Sequence, residues 1–179
     1  TNGHLDFAFS MVGFAADTAP VNYQFRKLIT EIRDGRWEGP VTEIRDAYRT
    51  AFERANAAGL PREKVIEAAK DAAKPFKLRL PGALFSGVFG ERNDGGLTAR
   101  TPVICTDLDD LDNPEGLRDI IIQDPSVLAA FLSPTGTGLK VIFQINPALS
   151  HAECYRAAEH YVREHFGEEI DSSCRNVPR

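Results

Sequence analysis

The chain has 179 residues, of which 42% are hydrophobic and 26% are charged, and its formal net charge is −5. This composition is typical of a globular protein with one domain, or one domain plus a small subdomain. No stretch approaches the roughly 18 apolar residues of a membrane span, and no secretory signal is visible, so no membrane association is expected. The negative charge argues against a generally basic nucleic-acid binder but is compatible with a local basic groove beside an acidic metal site.

The three cysteines, Cys105, Cys154 and Cys174, are odd in number and widely spaced. This usage favours the reducing cytoplasm over a disulfide framework, and no CxxC pair is present for a zinc ribbon. The four histidines show no HxxxH or HExxH spacing. We therefore expect a cytoplasmic protein whose histidines are structural or solvent-exposed.

The first half of the chain is predicted to be mainly helical after one strand. Apolar and polar residues alternate in residues 1–16, which predicts that strand. Helical spacing predicts three helices: one from Asn22 to Arg33, one from a Thr42 cap to Gly59, and one that begins at Pro61 and is stopped by Pro75.

The second half alternates strands with helices. Strands are predicted at 83–89, around 103–107, at 127–132 and at 138–145, with a short acidic strand after residue 167. Asn113-Pro114 begins one helix, and the capping box of Ser150 and Glu153 begins another, which Gly167 closes. The order after residue 100 is β-α-β-β-α-β, a split βαβ arrangement of ferredoxin or RRM type, so the expected fold class is α+β.

The most informative stretch is Thr101–Asp112, in which a short apolar run leads into four acidic residues. Side chains two apart on a strand project to the same side, so Asp107 and Asp109 should lie roughly 6–7 Å apart. Paired carboxylates of this kind suit Mg²⁺ or Mn²⁺, which are also bound by waters and substrate phosphates. The alternative is a solvated acidic turn after a strand.

A glycine-rich loop lies between two of the predicted strands. Its sequence, Ser133-Pro-Thr135-Gly136-Thr137-Gly138-Leu-Lys140, allows backbone N–H groups to converge on an anion, and Lys140 could add a point charge for a triphosphate. The loop is not a Walker A motif, because GxxxxGK[ST] is missing and a strand follows it. The alternative is an ordinary hairpin with Lys140 on the solvent face.

A third acid, Asp171, follows the last predicted helix within the last predicted strand. Three carboxylates on adjacent strands are what two-metal nucleotidyl transfer requires. Arg175 and Arg179 come next and are candidates for binding triphosphate or template phosphate; the alternative is surface charge near an exposed end. Lys74, Lys77, Arg79 and Arg92 precede the acidic strand and are candidates for a groove that binds a template strand.

The sequence resembles the archaeo-eukaryotic primase (AEP) superfamily, whose members carry a DxD strand, an S/GxGxH-type strand and a third acidic strand in that order. It is similar to the primase-polymerase (PrimPol) domains of mobile elements and phages, including the family labelled VirE N-terminal. The matching segments are residues 80–87, 104–109, 130–143 and 170–179, so that the resemblance covers most of residues 75–179. The expected domain is a single one over 1–179, with a helical part at about 17–75 and an RRM-like catalytic part at about 76–179.

The resemblance implies that Asp107, Asp109 and Asp171 are catalytic ligands of Mg²⁺ or Mn²⁺. It also places the loop residues Ser133, Gly136, Gly138 and Lys140 against the incoming nucleotide. The superfamily often has histidine where this chain has Lys140, which predicts altered nucleotide affinity or sugar preference. Related domains continue with another strand beyond the position of Arg179, which predicts a domain truncated at its C-terminus.

The first functional hypothesis is a DNA primase or primase-polymerase that makes primers from NTPs or dNTPs on a single-stranded DNA template, with a helicase domain or protein as a further partner. The second keeps the fold but is a catalytically inactive nucleic-acid-binding module of a mobile-element replication protein. A haloacid-dehalogenase-type phosphatase ranks last, because Leu111 follows Asp110 where that family expects threonine nearby.

Overall fold

The apolar alternation near the N-terminus forms an antiparallel sheet in the computed structural model, which describes residues 5–178. Strand β1 (Ala8–Val12) lies between β2 (Val21–Gln24) and β3 (Gly82–Leu84). The strand predicted within residues 1–16 is therefore confirmed for Ala8–Val12; residues 13–16 form bends and a turn, and residues 1–4 lie outside the described part of the chain. The first helix, α1 (Phe25–Arg33), begins later than predicted, because residues 21–24 pair with β1 instead of entering the helix.

Two longer helices follow, α2 (Glu38–Ala57) and α3 (Arg62–Lys77), and they pack on each other around Ile44, Tyr48 and Ala69. The predicted cap at Thr42 is wrong, because α2 begins about one turn earlier, at Glu38. Pro40 is compatible with this start, since the N–H groups of the first turn have no acceptor within the helix and proline lacks only such a group. The predicted stop at Pro75 is also wrong. This proline lies in the last turn of α3, where it removes only its own N–H from the helical pattern.

The strand predicted at 83–89 is interrupted and contributes to two sheets. Residues 85–86 form a turn after β3, and β4 (Gly87–Phe89) pairs with β5 (Leu97–Arg100), a strand that the sequence did not indicate. Gly87 allows this pairing, because a Cβ atom there would lie 2.4 Å from the carbonyl oxygen of Ala99. The loop predicted at 91–96 is confirmed as bends and turns.

A central three-stranded sheet carries the acidic stretch. Its strands are β6 (Val103–Leu108), β7 (Val127–Leu132) and β8 (Leu139–Gln144), in the order β6-β8-β7, and both neighbouring pairs are antiparallel. Helix α4 (Pro114–Ile121) connects β6 to β7, and α5 (His151–Phe166) follows β8. The predicted order from β6 through α5 is confirmed.

The caps of α4 and α5 are those that the sequence predicts. The Asn113 side chain accepts a hydrogen bond from the Gly116 N–H, and Ser150 and Glu153 form a reciprocal capping box. Gly167 closes α5 with a φ of 70°. The acidic strand predicted after it is wrong: residues 168–171 are not in a strand, and a 3-10 helix, Ser172–Arg175, follows.

The central sheet is covered on both faces. One face packs against α4 and α5 through Ile104, Val141 and Tyr155. The other packs against β1 and α1 through Val103, Ile142 and Phe25. Burial on both faces fixes the register of β6, because a slip of one residue would exchange its two sets of side chains. Among residues 5–178, no helix combines the length and the apolar character required to cross a membrane.

Candidate functional site

A cleft of about 980 Å³ opens where the end of β6 and the start of β8 approach α1, α2 and the C-terminal segment. Asp107 and Asp109 both line it, as the same-side prediction for the two carboxylates requires. Lys140 lines the cleft as well, so the alternative that placed this lysine on the solvent face is wrong. The cleft therefore brings together two acids and the lysine that the sequence singled out.

Asp107 and Lys140 form an ion pair across two adjacent strands. They are directly opposite in the β6–β8 register, and the Lys140 Nζ lies 2.6 Å from Asp107 Oδ1. The Lys140 side chain is 30% exposed and the Asp107 side chain 15%, so the pair is partly shielded from water. Burial alone would lower the pKa of Lys140, but the Asp107 carboxylate and the nearby Cys105 and Cys174 raise it above its usual value. The lysine is therefore charged and directed at the acid.

Asp109 lies just beyond the end of β6, in a sharply turned segment. The next residue, Asp110, has a φ of 56°, a conformation that non-glycine residues seldom adopt and that aspartate tolerates better than most. The Lys70 Nζ on α3 donates to Asp110 Oδ2 at 2.7 Å, and Arg62 pairs with Asp112 at 3.1 Å. Helix α3 thus contacts the acidic turn directly.

The glycine-rich loop, residues 133–138, is closed by its own hydrogen bonds. The Gly136 N–H donates to the Ser133 carbonyl at 2.9 Å, and the Gly138 N–H donates to Ser133 Oγ at 3.1 Å. The hydroxyls of Ser133, Thr135 and Thr137 follow one another at 3.0 Å separations. At least two N–H groups of the predicted anion nest are therefore committed within the loop itself.

Gly138 holds this loop against the acidic strand. A Cβ atom at Gly138 would lie 2.5 Å from the Leu108 carbonyl oxygen and 3.3 Å from Asp109 Oδ1. Gly136, two residues earlier, has a φ of 79° and lies against the side chain of Arg45 on α2. Both glycines are thus required, one for close approach and one for its backbone conformation.

Asp171 contacts the acidic strand through its backbone. Its N–H donates to the Asp107 carbonyl oxygen at 2.8 Å, while its carboxylate accepts a hydrogen bond from the Ser173 N–H at 2.9 Å and caps the 3-10 helix. Asp171 does not line the cleft. Within residues 5–178, no three His, Cys, Asp or Glu side chains are grouped so that they could hold a metal ion. The structure brings two of the three predicted acids together.

Two carboxylates remain a fitting donor set for Mg²⁺ or Mn²⁺. Proteins commonly hold Mg²⁺ through one or two carboxylates, with waters and substrate phosphates completing its coordination. Asp107 and Asp109 supply the hard oxygen ligands that these ions prefer. Since Lys140 pairs with Asp107, an ion bound there would compete with the ammonium group.

Only some of the basic residues predicted to bind phosphate or template lie at the cleft. Lys77 and Arg92 line the cleft, whereas Lys74 and Arg79 do not. Arg92 is held by the carbonyl oxygens of Ala15 and Pro178. Arg79 stacks on the Phe76 ring at 4.9 Å.

Arg175, the remaining described candidate, lies outside the cleft lining. It stacks over the Tyr155 ring at 5.1 Å and approaches Glu159 at 3.4 Å. Hydrogen bonding to Tyr155 raises the pKa of the already strongly basic guanidinium. Arg179 lies outside the described residues. The arginines at the C-terminus were predicted as phosphate contacts, but Arg175 contacts α5.

Arg45 is a cleft residue that the sequence did not single out. It lines the cleft from α2, in the helical part of the chain, and packs against Gly136 of the loop. The only tryptophan of the chain, Trp37, also lines the cleft. No motif marks either residue, because their place in the site depends on how α2 packs against the loop.

These features define an α+β protein in which two aspartates and several basic side chains line one cleft. Residues 75–179 match the family described as BT4734-like, N-terminal domain, and the chain belongs to this family. The match contains both cleft acids, the glycine-rich loop and Lys140, but not α1 or α2. No curated protein and no solved structure matches the chain significantly.

Proposed function

We propose that the protein is a metal-dependent nucleotidyltransferase of the primase-polymerase type, which joins NTPs or dNTPs on a single-stranded DNA template. The observation that carries the proposal is the convergence of Asp107, Asp109 and Lys140 in one cleft, beside a tightly bonded glycine-rich loop. Nucleotidyl transfer needs carboxylates for the metal, a positive charge for the phosphates and a rigid wall that orients them.

The topology supports the same proposal. The strand order β6-β8-β7, with α4 and α5 on one face, corresponds to the first three strands and two helices of a split βαβ fold of RRM type. In that fold a fourth strand would lie at the open edge of β6. The Asp171 N–H bonds to the Asp107 carbonyl of β6, although residues 168–171 do not form a strand. We therefore propose an AEP-type catalytic core.

Each residue has a defined task in this proposal. Asp107 and Asp109 would hold Mg²⁺ or Mn²⁺, which would supply activation of the attacking hydroxyl and stabilisation of charge on the transferred phosphate. Lys140 moves from Asp107 to a phosphate oxygen when the nucleotide binds. Asp171 positions β6 through its backbone contact with Asp107. Lys77 and Arg92 supply positive charge for the template at the same cleft.

One observation favours a second function, a nucleic-acid-binding module without catalysis. The Lys140 ammonium neutralises one of the two cleft acids, and an oxygen of the Asp171 carboxylate is engaged in capping a 3-10 helix. A protein that only binds a strand would retain the cations Lys77 and Arg92 and would not need metal at Asp107.

A primer-synthesis assay tests the proposal. Single-stranded DNA, labelled nucleotides and Mn²⁺ are incubated with the wild type, with Asp107→Asn/Asp109→Asn and with a control of equal charge change, Asp46→Asn/Asp119→Asn. Neither control residue lines the cleft. We expect products from the wild type and the control only. Equal products from all three proteins would contradict the assignment of the acids. No product from any of them, together with equal binding of the DNA strand, would favour the binding module.

A further inference from the structure

The cations of the cleft differ in what they contact. Arg33 bonds to Asp34, Arg92 bonds to backbone carbonyls, and Lys140 bonds to Asp107. Arg45 and Lys77 line the same cleft and, within residues 5–178, form no ion pair with a carboxylate. Arg45 is solvent-exposed where it lines the cleft, so its guanidinium group is available for an anionic ligand.

Arg45 is solvent-exposed on α2 and lies next to the glycine-rich loop. Its Nε lies 3.4 Å, and its Cζ 3.7 Å, from the position that a Cβ atom on Gly136 would occupy. The guanidinium group therefore lies beside the turn of the glycine-rich loop, at van der Waals distance from the position of a Cβ atom on Gly136. Two residues further along, Gly138 lies against Asp109, and Lys140 then reaches Asp107. The loop thus connects a guanidinium group to the acidic pair.

We propose that Arg45 binds the terminal phosphate of a nucleoside triphosphate whose α-phosphate lies at Asp107 and Asp109, an inference that rests on the proposed function. The planar guanidinium group can donate two parallel hydrogen bonds to phosphate oxygens, which an ammonium group cannot do. The loop gives the triphosphate a rigid path between the two ends. Helix α2 lies outside the residues that match the family, and in this proposal it supplies part of the nucleotide site.

Binding of inorganic tripolyphosphate and of Mg²⁺–ATP, measured by calorimetry, tests the proposal. The intrinsic fluorescence of Trp37, the single tryptophan, gives a second signal from within the cleft. The test variant is Arg45→Gln, and the matched control is Arg49→Gln, one turn further along α2, whose partner Asp46 is 2.6 Å away. We expect the dissociation constant of the test variant to rise about tenfold, with Arg45→Lys intermediate and the control unchanged.

Three results would overturn the proposal: equal affinities of the Arg45→Gln and Arg49→Gln variants, no binding heat for the wild type at millimolar tripolyphosphate, or a loss in Arg45→Gln of single-stranded DNA binding alone. The third would assign Arg45 to the nucleic-acid backbone. Circular dichroism checks that the variant is folded. Because tripolyphosphate binding needs no catalysis, an inactive wild type that still binds tripolyphosphate through Arg45 would count against the polymerase proposal and retain only Arg45 as a phosphate contact.

Discussion

The helical hairpin of α2 and α3 and the central sheet hold their polar groups in different ways. In the sheet, Lys140 and Asp107 meet across adjacent strands and are largely shielded from water. The hairpin reaches the acidic turn through more exposed contacts, such as Lys70 to Asp110, whose side chains are 45% and 41% exposed. Exposed ion pairs contribute little to stability, whereas shielded ones are costly to break. The sheet should therefore set the geometry of the site more firmly than the hairpin does.

The largest expected difference in stability comes from adding one methyl group, by a glycine-to-alanine substitution, in each of the two regions. In Gly138→Ala the new Cβ would lie 2.5 Å from the Leu108 backbone oxygen, which cannot rotate away, so the variant should lose about 3 kcal/mol of unfolding free energy. In Gly39→Ala, within α2, no atom lies within 4 Å of the added Cβ, and a gain of roughly 0.4–1 kcal/mol is expected. Urea denaturation measures both; a neutral Gly138→Ala would contradict the close approach of the loop to β6.

The next effect compares two lysine–aspartate pairs. Lys140→Met removes the ammonium group from a carboxylate that is only 15% exposed, and should cost about 2 kcal/mol. Lys70→Met breaks a pair in which both side chains are more than 40% exposed, and should cost at most about 1 kcal/mol. The midpoints of urea unfolding at neutral pH give both values. A greater loss in Lys70→Met would show that the hairpin, rather than the sheet, fixes the acidic turn.

The smallest effect concerns Tyr161 on α5, which donates a hydrogen bond to Asp124 beside the central sheet. Tyr161→Phe should cost about 1 kcal/mol at neutral pH. The hydrogen bond raises the pKa of Tyr161 to about 12, whereas an unfolded tyrosine titrates near about 10. Because the folded-state pKa is the higher one, the stabilisation is complete below about pH 10 and is lost as the pH rises towards about 12.

Unfolding of the wild type and of Tyr161→Phe at several pH values between neutral and about 12 checks this sign, because other titrating groups cancel in the difference. A difference that stays constant across the range would contradict the coupling to Asp124. As a control from the hairpin, Lys64→Ala breaks an exposed pair with Glu67 and should leave stability unchanged at neutral pH.

Elements whose causes lie within a few residues can be predicted from the amino-acid sequence alone. Asn113 with Pro114 begins α4, Ser150 with Glu153 begins α5, and Gly167 ends it, because caps are made by neighbouring groups. The two-residue period of a strand also predicted that Asp107 and Asp109 share one side, and both line the cleft, although Asp109 lies just beyond the end of β6. Local chemistry was sufficient in each case.

Only the tertiary structure decided which partners these groups have. Lys140 meets Asp107 from 33 residues away and Lys70 meets Asp110 from 40 residues away, while Arg45 reaches the loop from a helix with no motif. Asp171 was expected beside the other two acids; it bonds to the Asp107 backbone and caps the 3-10 helix but does not line the cleft. Such contacts depend on how strands pair and helices pack, since the same side-chain pattern is compatible with several neighbours until the buried faces of the sheet fix its register.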